Sequence, residues 1–181
     1  VIRMEGLAKK GAMGLVVVGP DDPLAMGMVE AMEAAGIRAF GPNRAAAIIE
    51  ASKAFSKELM KKYGIPTADY ATFSDAEEAL RYVQTAEIPL VVKASGLALG
   101  KGVLICKTRQ QAEDAVRQIM VDKAFGAAGE TVVIEEFLEG PEISVLTFTD
   151  SHTILPMASA QDHKLARDND EGMNQGSMGT I

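Results

Sequence analysis

Short apolar runs alternate with an amphipathic stretch along the first forty residues. The run at 15–18 ends at a Gly-Pro pair, which is typical of a short strand buried in a parallel sheet. A helical pattern follows over residues 21–36, with Asp21 or Asp22 as its cap, and a second short strand follows at 37–40. This order predicts a right-handed parallel βαβ unit, with its loops at the carboxyl ends of the strands.

The pattern is helical over 43–63 and then turns to strands. Strands are predicted at 70–73, 89–94, 101–107, 131–138, 142–150 and 153–160, with helices at 75–85 and 109–121. The strands on either side of the glycine-rich segment are expected to form a hairpin, and the last three an antiparallel meander. A boundary near residues 41–52 would divide a partial amino-terminal domain (1–50) from a second domain (51–181) that is incomplete at its carboxyl end.

Composition narrows the class of protein. Of the 181 residues, 48% are apolar, so a packed core is expected. The net charge is −7 and basic residues form no stripe, which argues against a nucleic-acid partner. No apolar run approaches the length of a membrane span, so we expect no membrane partner and a cytoplasmic location. The single cysteine, Cys106, lies in an apolar run and is expected to be a buried structural thiol.

Glycines surround a lysine in the segment "VVKASGLALGKGVLI". A Walker A loop needs G-x-x-x-x-G-K-[ST] before a helix. Here Gly96, Gly100, Lys101 and Gly102 have a different spacing, no Ser or Thr follows the lysine, and a strand pattern comes next. The segment therefore predicts a bent hairpin. Its backbone N–H groups could bind phosphate, or the hairpin could be mobile and bind nothing.

Charged residues stand beside two apolar strands. Lys93 alternates with Val92, so its side chain can point into a pocket, although an edge lysine reaching solvent is an equal alternative. Glu135 and Glu136 face opposite sides of their strand. Such a strand end can bind adenine through its backbone, and Glu142 could hold a ribose. An ordinary hairpin with solvent-facing glutamates is the competing interpretation.

A polar segment follows the last predicted strand. Asp162, His163 and Lys164 stand together, and a glycine-rich stretch follows them. Such a triplet is usually a polar turn. The two histidines lack the spacing of a zinc site, and no G-x-S-x-G motif indicates a hydrolase.

Six blocks in order resemble the phosphoribosylamine–glycine ligase family of the ATP-grasp superfamily. They are "LVVVGPDDPL", "FGPNRAAAIIEASKAFSKELMKKYGIPTADY", "VVKASGLALGKGV", "VVIEEFLEGPEISV", "AQDHK" and "NQGSMG". The resemblance covers nearly the whole chain. It implies an α/β and α+β fold class: a partial ATP-grasp fold preceded by part of a Rossmann-like parallel βαβ domain.

The resemblance also implies site residues. The nucleotide-binding residues would be Lys53, Lys93, Ser95, Gly96, Gly100, Lys101, Gly102, Glu135, Glu136, Phe137, Leu138 and Glu142. The substrate-binding residues would be Gly19, Pro20, Asp21, Asp162, His163, Lys164, Asn174, Gly176 and Gly179. Catalytic roles would fall to Lys93, Asp162 and Lys164. No metal ligand is assigned within the chain, because the family's Glu and Asn ligands are expected beyond residue 181.

The implied reaction joins glycine to 5-phosphoribosylamine, with ATP and Mg²⁺ or Mn²⁺, through glycyl phosphate in purine biosynthesis. Both ends of the chain look cut, so we expect it not to catalyse the full reaction alone. Another ATP-grasp ligase or carboxylase, or a nucleotide-binding module without catalysis, is the alternative. The chain departs from the family's pattern at Ser95, where Asp is usual, and at Leu99, Met173, Gln175 and Ser177.

Overall fold

The structure, a computed structural model, describes residues 2–98, 100–167 and 171–181, and the side chains of residues 2 and 164–178 lie outside that description. The chain forms two compact units, one from residues up to Ala98 with Gly102–Phe137 and the other from the segment around Gly100 with Leu138–Ile181. The predicted domain boundary near residue 50 lies inside the first unit and stays a prediction.

The first unit contains most of the helices and a four-stranded sheet. Its helices are α1 (Ile2–Lys10), α2 (Asp21–Ala25), α3 (Met28–Ala34), α4 (Arg44–Ala51), α5 (Lys53–Tyr63), α6 (Ala76–Thr85) and α7 (Arg109–Val116), followed by a π-helical turn (Arg117–Val121) and a 3₁₀ turn (Gly126–Gly129). Its strands are β1 (Val16–Val17), β2 (Ala39–Phe40), β3 (Tyr70–Phe73), β4 (Leu90–Ala94), β5 (Val103–Cys106) and β6 (Val132–Glu136).

The predicted parallel βαβ unit is confirmed, because β1 and β2 pair in parallel. The single helix predicted over 21–36 is wrong: α2 and α3 are separated at Gly27, whose φ of 82° a helix interior does not accept. The predicted aspartate cap is also wrong. Pro20 occupies the N-cap position of α2. Asp21 and Asp22 lie in the first turn, where a negative charge interacts favourably with the helix dipole.

The four-stranded sheet has the order β3-β6-β4-β5 and is antiparallel throughout. The predicted hairpin of β4 and β5 is confirmed. The predicted meander starting at residue 131 is wrong, because β6 pairs with β3 and β4 rather than with the strand that follows it. The reason is that Val132, Val133 and Ile134 are all buried, so β6 is apolar on both faces and occupies a central position.

The two faces of this sheet carry different residues. Leu90, Val92, Ala94, Val132 and Ile134 share a buried cluster with apolar residues of α6 and α7. Because side chains alternate along a strand, Lys93 of β4 and Glu135 of β6 lie on the opposite face. Helix α5 reaches this second face through the Lys57 side chain, which contacts Glu135.

The second unit contains β7 (Thr147–Thr149), β8 (Ile154–Pro156), β9 (Asp162–Arg167) and β10 (Glu171–Thr180). The predicted pairing of the strands at 142–150 and 153–160 is confirmed, since β7 and β8 are antiparallel neighbours. The "NQGSMG" stretch, predicted as a loop, lies in β10, which pairs with β9. The pairing is antiparallel, with register shifts between Glu171 and Asn174 and between Asn174 and Gly179. Among the described residues, no helix combines the length and the apolar character needed to cross a bilayer.

Candidate functional site

The start of helix α5 is fastened to the residue that follows β4. The Ser95 hydroxyl accepts the backbone N–H of Ala54 at 3.1 Å, and the Ser95 carbonyl accepts the N–H of Lys53 at 2.8 Å. Ser52, the N-cap residue, accepts the N–H of Phe55 through its own hydroxyl. These bonds satisfy N–H groups that a helix start leaves without an intrahelical partner. Ser95 is only 6% exposed, so this junction is a closed structural contact.

The Lys53 side chain reaches the same junction. Its ammonium donates to the carbonyl of Gly96 at 3.2 Å. Burial lowers the pKa of Lys53, and the nearby Glu50 carboxylate partly opposes that shift. The structure therefore brings together two predicted nucleotide-binding residues, Lys53 and Gly96, at the root of the glycine hairpin.

Lys93 lies on β4 and points away from the face that carries Val92. Its ammonium forms an ion pair with Oε1 of Glu135 on β6. The Lys93 side chain is 27% exposed, whereas that of Glu135 is 4% exposed. The edge-strand alternative for Lys93 does not hold, because β4 lies between β6 and β5. The lysine thus has one end in a buried ion pair and part of its length open to solvent.

Lys57 was not among the predicted site residues, yet it contacts the same carboxylate, Glu135, as Lys93 does. Its ammonium donates to the Thr67 hydroxyl at 2.8 Å and to the Ala68 carbonyl at 3.1 Å. It also forms an ion pair with Oε2 of Glu135. A sequence signal for Lys57 exists: it stands four residues after Lys53, and this spacing places both lysines on one face of α5.

The electrostatics of Lys57 reflect its burial. The residue is 7% exposed, and burial lowers the pKa of its ammonium. The carboxylates of Glu136 and Asp69 act in the opposite direction. A buried ammonium is stable only when its N–H groups are bonded, and the three acceptors around Lys57 meet that condition.

Glycine is required at the root of the hairpin. The Gly96 N–H donates to the Ala128 carbonyl at 3.0 Å. A Cβ at Gly96 would lie 2.7 Å from the Ala128 Cα, which is closer than atoms can pack. Gly102, at the other side of the hairpin, would bring a Cβ within 2.8 Å of the Ala98 Cβ. The two glycines allow this backbone to approach its neighbours closely.

The outer part of the hairpin is exposed. Gly100 has a φ of 73°, and Lys101 is exposed. The departure from the family's pattern at Leu99 falls outside the described residues. Strand β5, not a helix, follows the glycine-rich segment directly, so the exclusion of a Walker A loop is confirmed.

The end of β6 presents its residues to alternate sides, as predicted. Glu135 is buried and Glu136 is exposed. The Glu136 carboxylate accepts the N–H of Asp69 at 3.0 Å, and its own N–H donates to the Asp69 carbonyl at 2.9 Å. Phe137 is half-buried and Leu138 is 64% exposed. A role for these four residues at an adenine ring stays a prediction.

The predicted substrate residues of the βαβ unit lie where the carboxyl end of β1 meets α2. Gly19, Pro20 and Asp21 are all exposed there. The carboxyl end of a parallel strand beside a helix start is where ligands bind in sheets of this type. Their role in substrate binding stays a prediction.

The remaining predicted residues lie in the second unit. Glu142 is exposed, while Asp162 and His163 are half-buried on β9, opposite Thr180 and Gly179 of β10. The side chains of Lys164, Asn174, Met173, Gln175 and Ser177 lie outside the described part of the chain, and the backbone of Gly176 is in β10. Within the described residues, no group of three or more His, Cys, Asp or Glu side chains is placed to hold a metal ion.

Family models cover nearly all of the chain. Residues 51–181 match the model described as phosphoribosylglycinamide synthetase, ATP-grasp (A) domain, and residues 3–50 match the N domain of the same family.

Curated relatives agree with these models. The chain is 51% identical over 178 residues to the phosphoribosylamine–glycine ligase of Rhodopirellula baltica, covering 95% of this chain and 41% of the relative. It is 55% identical over 166 residues to the trifunctional purine biosynthetic protein adenosine-3 of Gallus gallus, covering 91% of this chain and 17% of that protein. The chain thus spans less than half the length of these relatives.

Solved structures have the same architecture. The phosphoribosylamine–glycine ligase of Thermotoga maritima superposes with a TM-score of 0.74 at 34% identity, over 79% of this chain and 37% of that one. The biotin carboxylase domain of the Hydrogenobacter thermophilus 2-oxoglutarate carboxylase, solved with MgADP and bicarbonate, gives a TM-score of 0.70 at 25% identity, over 93% of this chain and 38% of that one. With its lysines at a glycine hairpin and both family models matched, the chain belongs to the phosphoribosylglycinamide synthetase family of ATP-grasp proteins.

Proposed function

We propose that this protein acts as an ATP-dependent ligase that joins glycine to 5-phosphoribosylamine, giving glycinamide ribonucleotide, ADP and phosphate in purine biosynthesis. The observation that carries the proposal is the meeting of Lys53 and Gly96 at the root of the glycine hairpin, with Lys93 on the strand that leads into it. This arrangement occurs in a chain about half identical to phosphoribosylamine–glycine ligases.

The donor set fits the phosphates of a nucleotide. Lys53 and Lys93 supply two ammonium groups, and the exposed outer part of the hairpin, at Gly100 and Lys101, would supply backbone N–H groups. With Mg²⁺ or Mn²⁺, ATP would supply the phosphoryl group that activates a carboxylate. The metal ligands are not assigned to residues of this chain.

The reaction proceeds in two displacements. An oxygen of the glycine carboxylate attacks the γ-phosphorus of ATP, the bond to the β-phosphate oxygen breaks, and ADP leaves. The amine nitrogen of 5-phosphoribosylamine then attacks the carbonyl carbon of glycyl phosphate, phosphate leaves, and the nitrogen loses one proton. Neither displacement requires a covalent nucleophile from the protein.

The residues of this chain would act by charge and by excluding water. Lys53 and Lys93 would stabilise the negative charge that spreads over the phosphoryl oxygens. The hairpin that contains Gly100 and Lys101 would cover the site and keep water from hydrolysing glycyl phosphate. Gly19–Asp21 and Asp162–Lys164 would face the two substrates.

A phosphate-release assay on the full-length protein that contains this chain tests the proposal, because the chain spans only 41% of the length of the Rhodopirellula baltica relative. We expect release from ATP only when glycine and 5-phosphoribosylamine are both present, and loss of release in Lys93→Met. The control is Lys62→Met, which removes an exposed lysine of α5. Release that depends on neither substrate would contradict the proposed reaction.

The likeness to a carboxylase domain makes a substrate panel the natural companion assay. Bicarbonate and D-alanine are tested in place of glycine under the same conditions. Release that depends on bicarbonate or D-alanine, and not on glycine, would assign the chain to another ATP-grasp reaction.

A further inference from the structure

Three charged residues form a continuous row across one face of the four-stranded sheet. Lys57 of α5 contacts Glu135 of β6, and Glu135 contacts Lys93 of β4. Each contact uses a different oxygen of the Glu135 carboxylate, Oε2 for Lys57 and Oε1 for Lys93. We name this row the lysine–glutamate–lysine chain.

Lys57 is placed to hold a neighbour rather than a ligand. An ammonium has three N–H donors, and Thr67, Ala68 and Glu135 supply three acceptors within hydrogen-bond distance. The residue is 7% exposed, so a ligand has little access to it. The hydroxyl and the carbonyl come from the segment before β3, which fixes the ammonium from a second direction.

Glu135 transmits this constraint. Its carboxylate is a flat group, and a fixed ammonium at Oε2 restricts its rotation. Oε1 is thereby directed at the ammonium of Lys93. The carboxylate also divides its charge between two cations, so it attracts Lys93 less strongly than it would with Lys93 alone.

We propose that Lys57 is a positioning residue for the nucleotide site and that it acts on Lys93 through Glu135. The proposal rests on the proposed function, because it takes a nucleoside triphosphate as the ligand of Lys93. Before the nucleotide binds, Lys57 holds the Glu135 carboxylate, and that carboxylate sets the position of the Lys93 ammonium. Because Lys57 shares the charge of Glu135, the Lys93 ammonium can leave this ion pair for a phosphate when the nucleotide binds.

Removing the Lys57 charge has a definite consequence. In Lys57→Met, the Glu135 carboxylate keeps Lys93 as its partner within the lysine–glutamate–lysine chain and no longer shares its charge with Lys57. The ion pair between Glu135 and Lys93 therefore tightens, and the pKa of Lys93 rises. A phosphate must then compete with a stronger ion pair, and nucleotide affinity falls. A role for Lys57 in packing alone would leave the pKa of Lys93 unchanged.

The first measurement needs no nucleotide. Competitive amine labelling of Lys93 at a series of pH values, read by mass spectrometry, gives its apparent pKa. We expect Lys57→Met to raise this value by about one unit. Lys57→Arg, which keeps the charge, should stay close to wild type. The control is Lys61→Met, which removes an exposed lysine one turn further along α5.

A double variant tests the route. With Glu135→Gln in the background, adding Lys57→Met should no longer change the labelling of Lys93. An equal effect of Lys57→Met with and without Glu135 would overturn transmission through that carboxylate. Lys57→Met and Glu135→Gln each remove one charge of a buried ion pair, so circular dichroism checks the fold of every variant, and Lys57→Gln serves as a second neutral variant.

Calorimetric titration of ATP with Mg²⁺ is the second measurement. We expect the Kd to rise about tenfold or more in Lys57→Met, with partial recovery in Lys57→Arg and no change in Lys61→Met. A folded Lys57→Met with wild-type labelling and wild-type Kd overturns the inference. Wild-type protein that binds no ATP contradicts the nucleotide site itself, while the labelling result still reports on the contact between the three residues.

Discussion

Ser95 caps helix α5 from outside the helix: its hydroxyl accepts the N–H of Ala54 at 3.1 Å and lies 3.4 Å from the hydroxyl of Ser52. The segment that leaves β4 thus completes the first turn of a helix that begins more than forty residues earlier. This contact gives a structural meaning to the position where the family resemblance expects aspartate.

Ser95→Ala should therefore destabilise the protein by about 1 kcal/mol, because it removes an acceptor from the start of α5. Urea denaturation followed by circular dichroism measures the change. Ser56→Ala, one turn along the same helix, is the control and should change the free energy of unfolding by less.

Ser95→Asp should keep the helix start intact. A carboxylate accepts the same N–H, and the helix dipole and the Lys53 ammonium both favour its negative charge. We expect Ser95→Asp to lose less than half of what Ser95→Ala loses, with a free energy of unfolding within about 0.5 kcal/mol of wild type. A loss as large as that of Ser95→Ala would show that the hydroxyl is needed for another reason.

Glu135→Gln should be strongly destabilising, because it leaves Lys57 buried without its charged partner. Breaking one side of a buried ion pair costs about 3–5 kcal/mol. Glu136→Gln is the matched control: the neighbouring residue is exposed, and an amide oxygen can still accept the N–H of Asp69. Equal unfolding midpoints for the two variants would contradict this account of Glu135.

Gly96→Ala should destabilise the protein by about 1–3 kcal/mol, because the new Cβ would lie 2.7 Å from backbone at Ala128. Gly6→Ala is a contrasting variant. Gly6 lies in α1 with nothing within 4 Å of the position of a Cβ, so alanine should stabilise that helix, by about 1 kcal/mol at most. Thermal or urea unfolding distinguishes the two signs.

Cys106 should be unreactive towards a thiol reagent at neutral pH in the folded protein. It is 1% exposed, and burial raises its pKa from 9.0 to about 11. Ellman's reagent should label the thiol rapidly in urea and slowly in buffer. Equal rates in both conditions would contradict the burial of this side chain.

The same shift predicts a loss of stability at alkaline pH. Between pH 9 and 11 the unfolded chain releases the thiol proton while the folded chain retains it, so the free energy of unfolding falls as pH rises. The contribution is complete well below pH 9, and about 2 kcal/mol is lost by pH 11. Cys106→Ala should lack this component of the pH dependence.

Local patterns predicted much of the fold. Alternation along β4 placed Lys93 opposite Val92, and turn residues located the hairpin between β4 and β5. Both features depend on residues that are close together in the sequence, so the local sequence pattern is enough to predict them. The family resemblance supplied the ATP-grasp assignment.

The pairing of strands that lie far apart in the sequence was harder to predict. The position of β6 between β3 and β4 depends on which apolar strand fits the middle of the sheet, and no residue near the turn specifies that choice. The interruption at Gly27 has a related cause, since one glycine in a helical pattern usually costs little. Lys57 was missed because a lysine in a helix is normally solvated, and only the fold shows Glu135 beside it.

Helix α5 also fixes the distance between its two contacts, at Gly96 and at Glu135. Lys53 and Lys57 are four residues apart, so about 6 Å of helical rise separates the contact with Gly96 from the contact with Glu135. Inserting one residue between them would rotate the second lysine by about 100° around the helix axis. The segment between the two lysines is therefore fixed in length, and substitutions should be tolerated there far better than insertions or deletions.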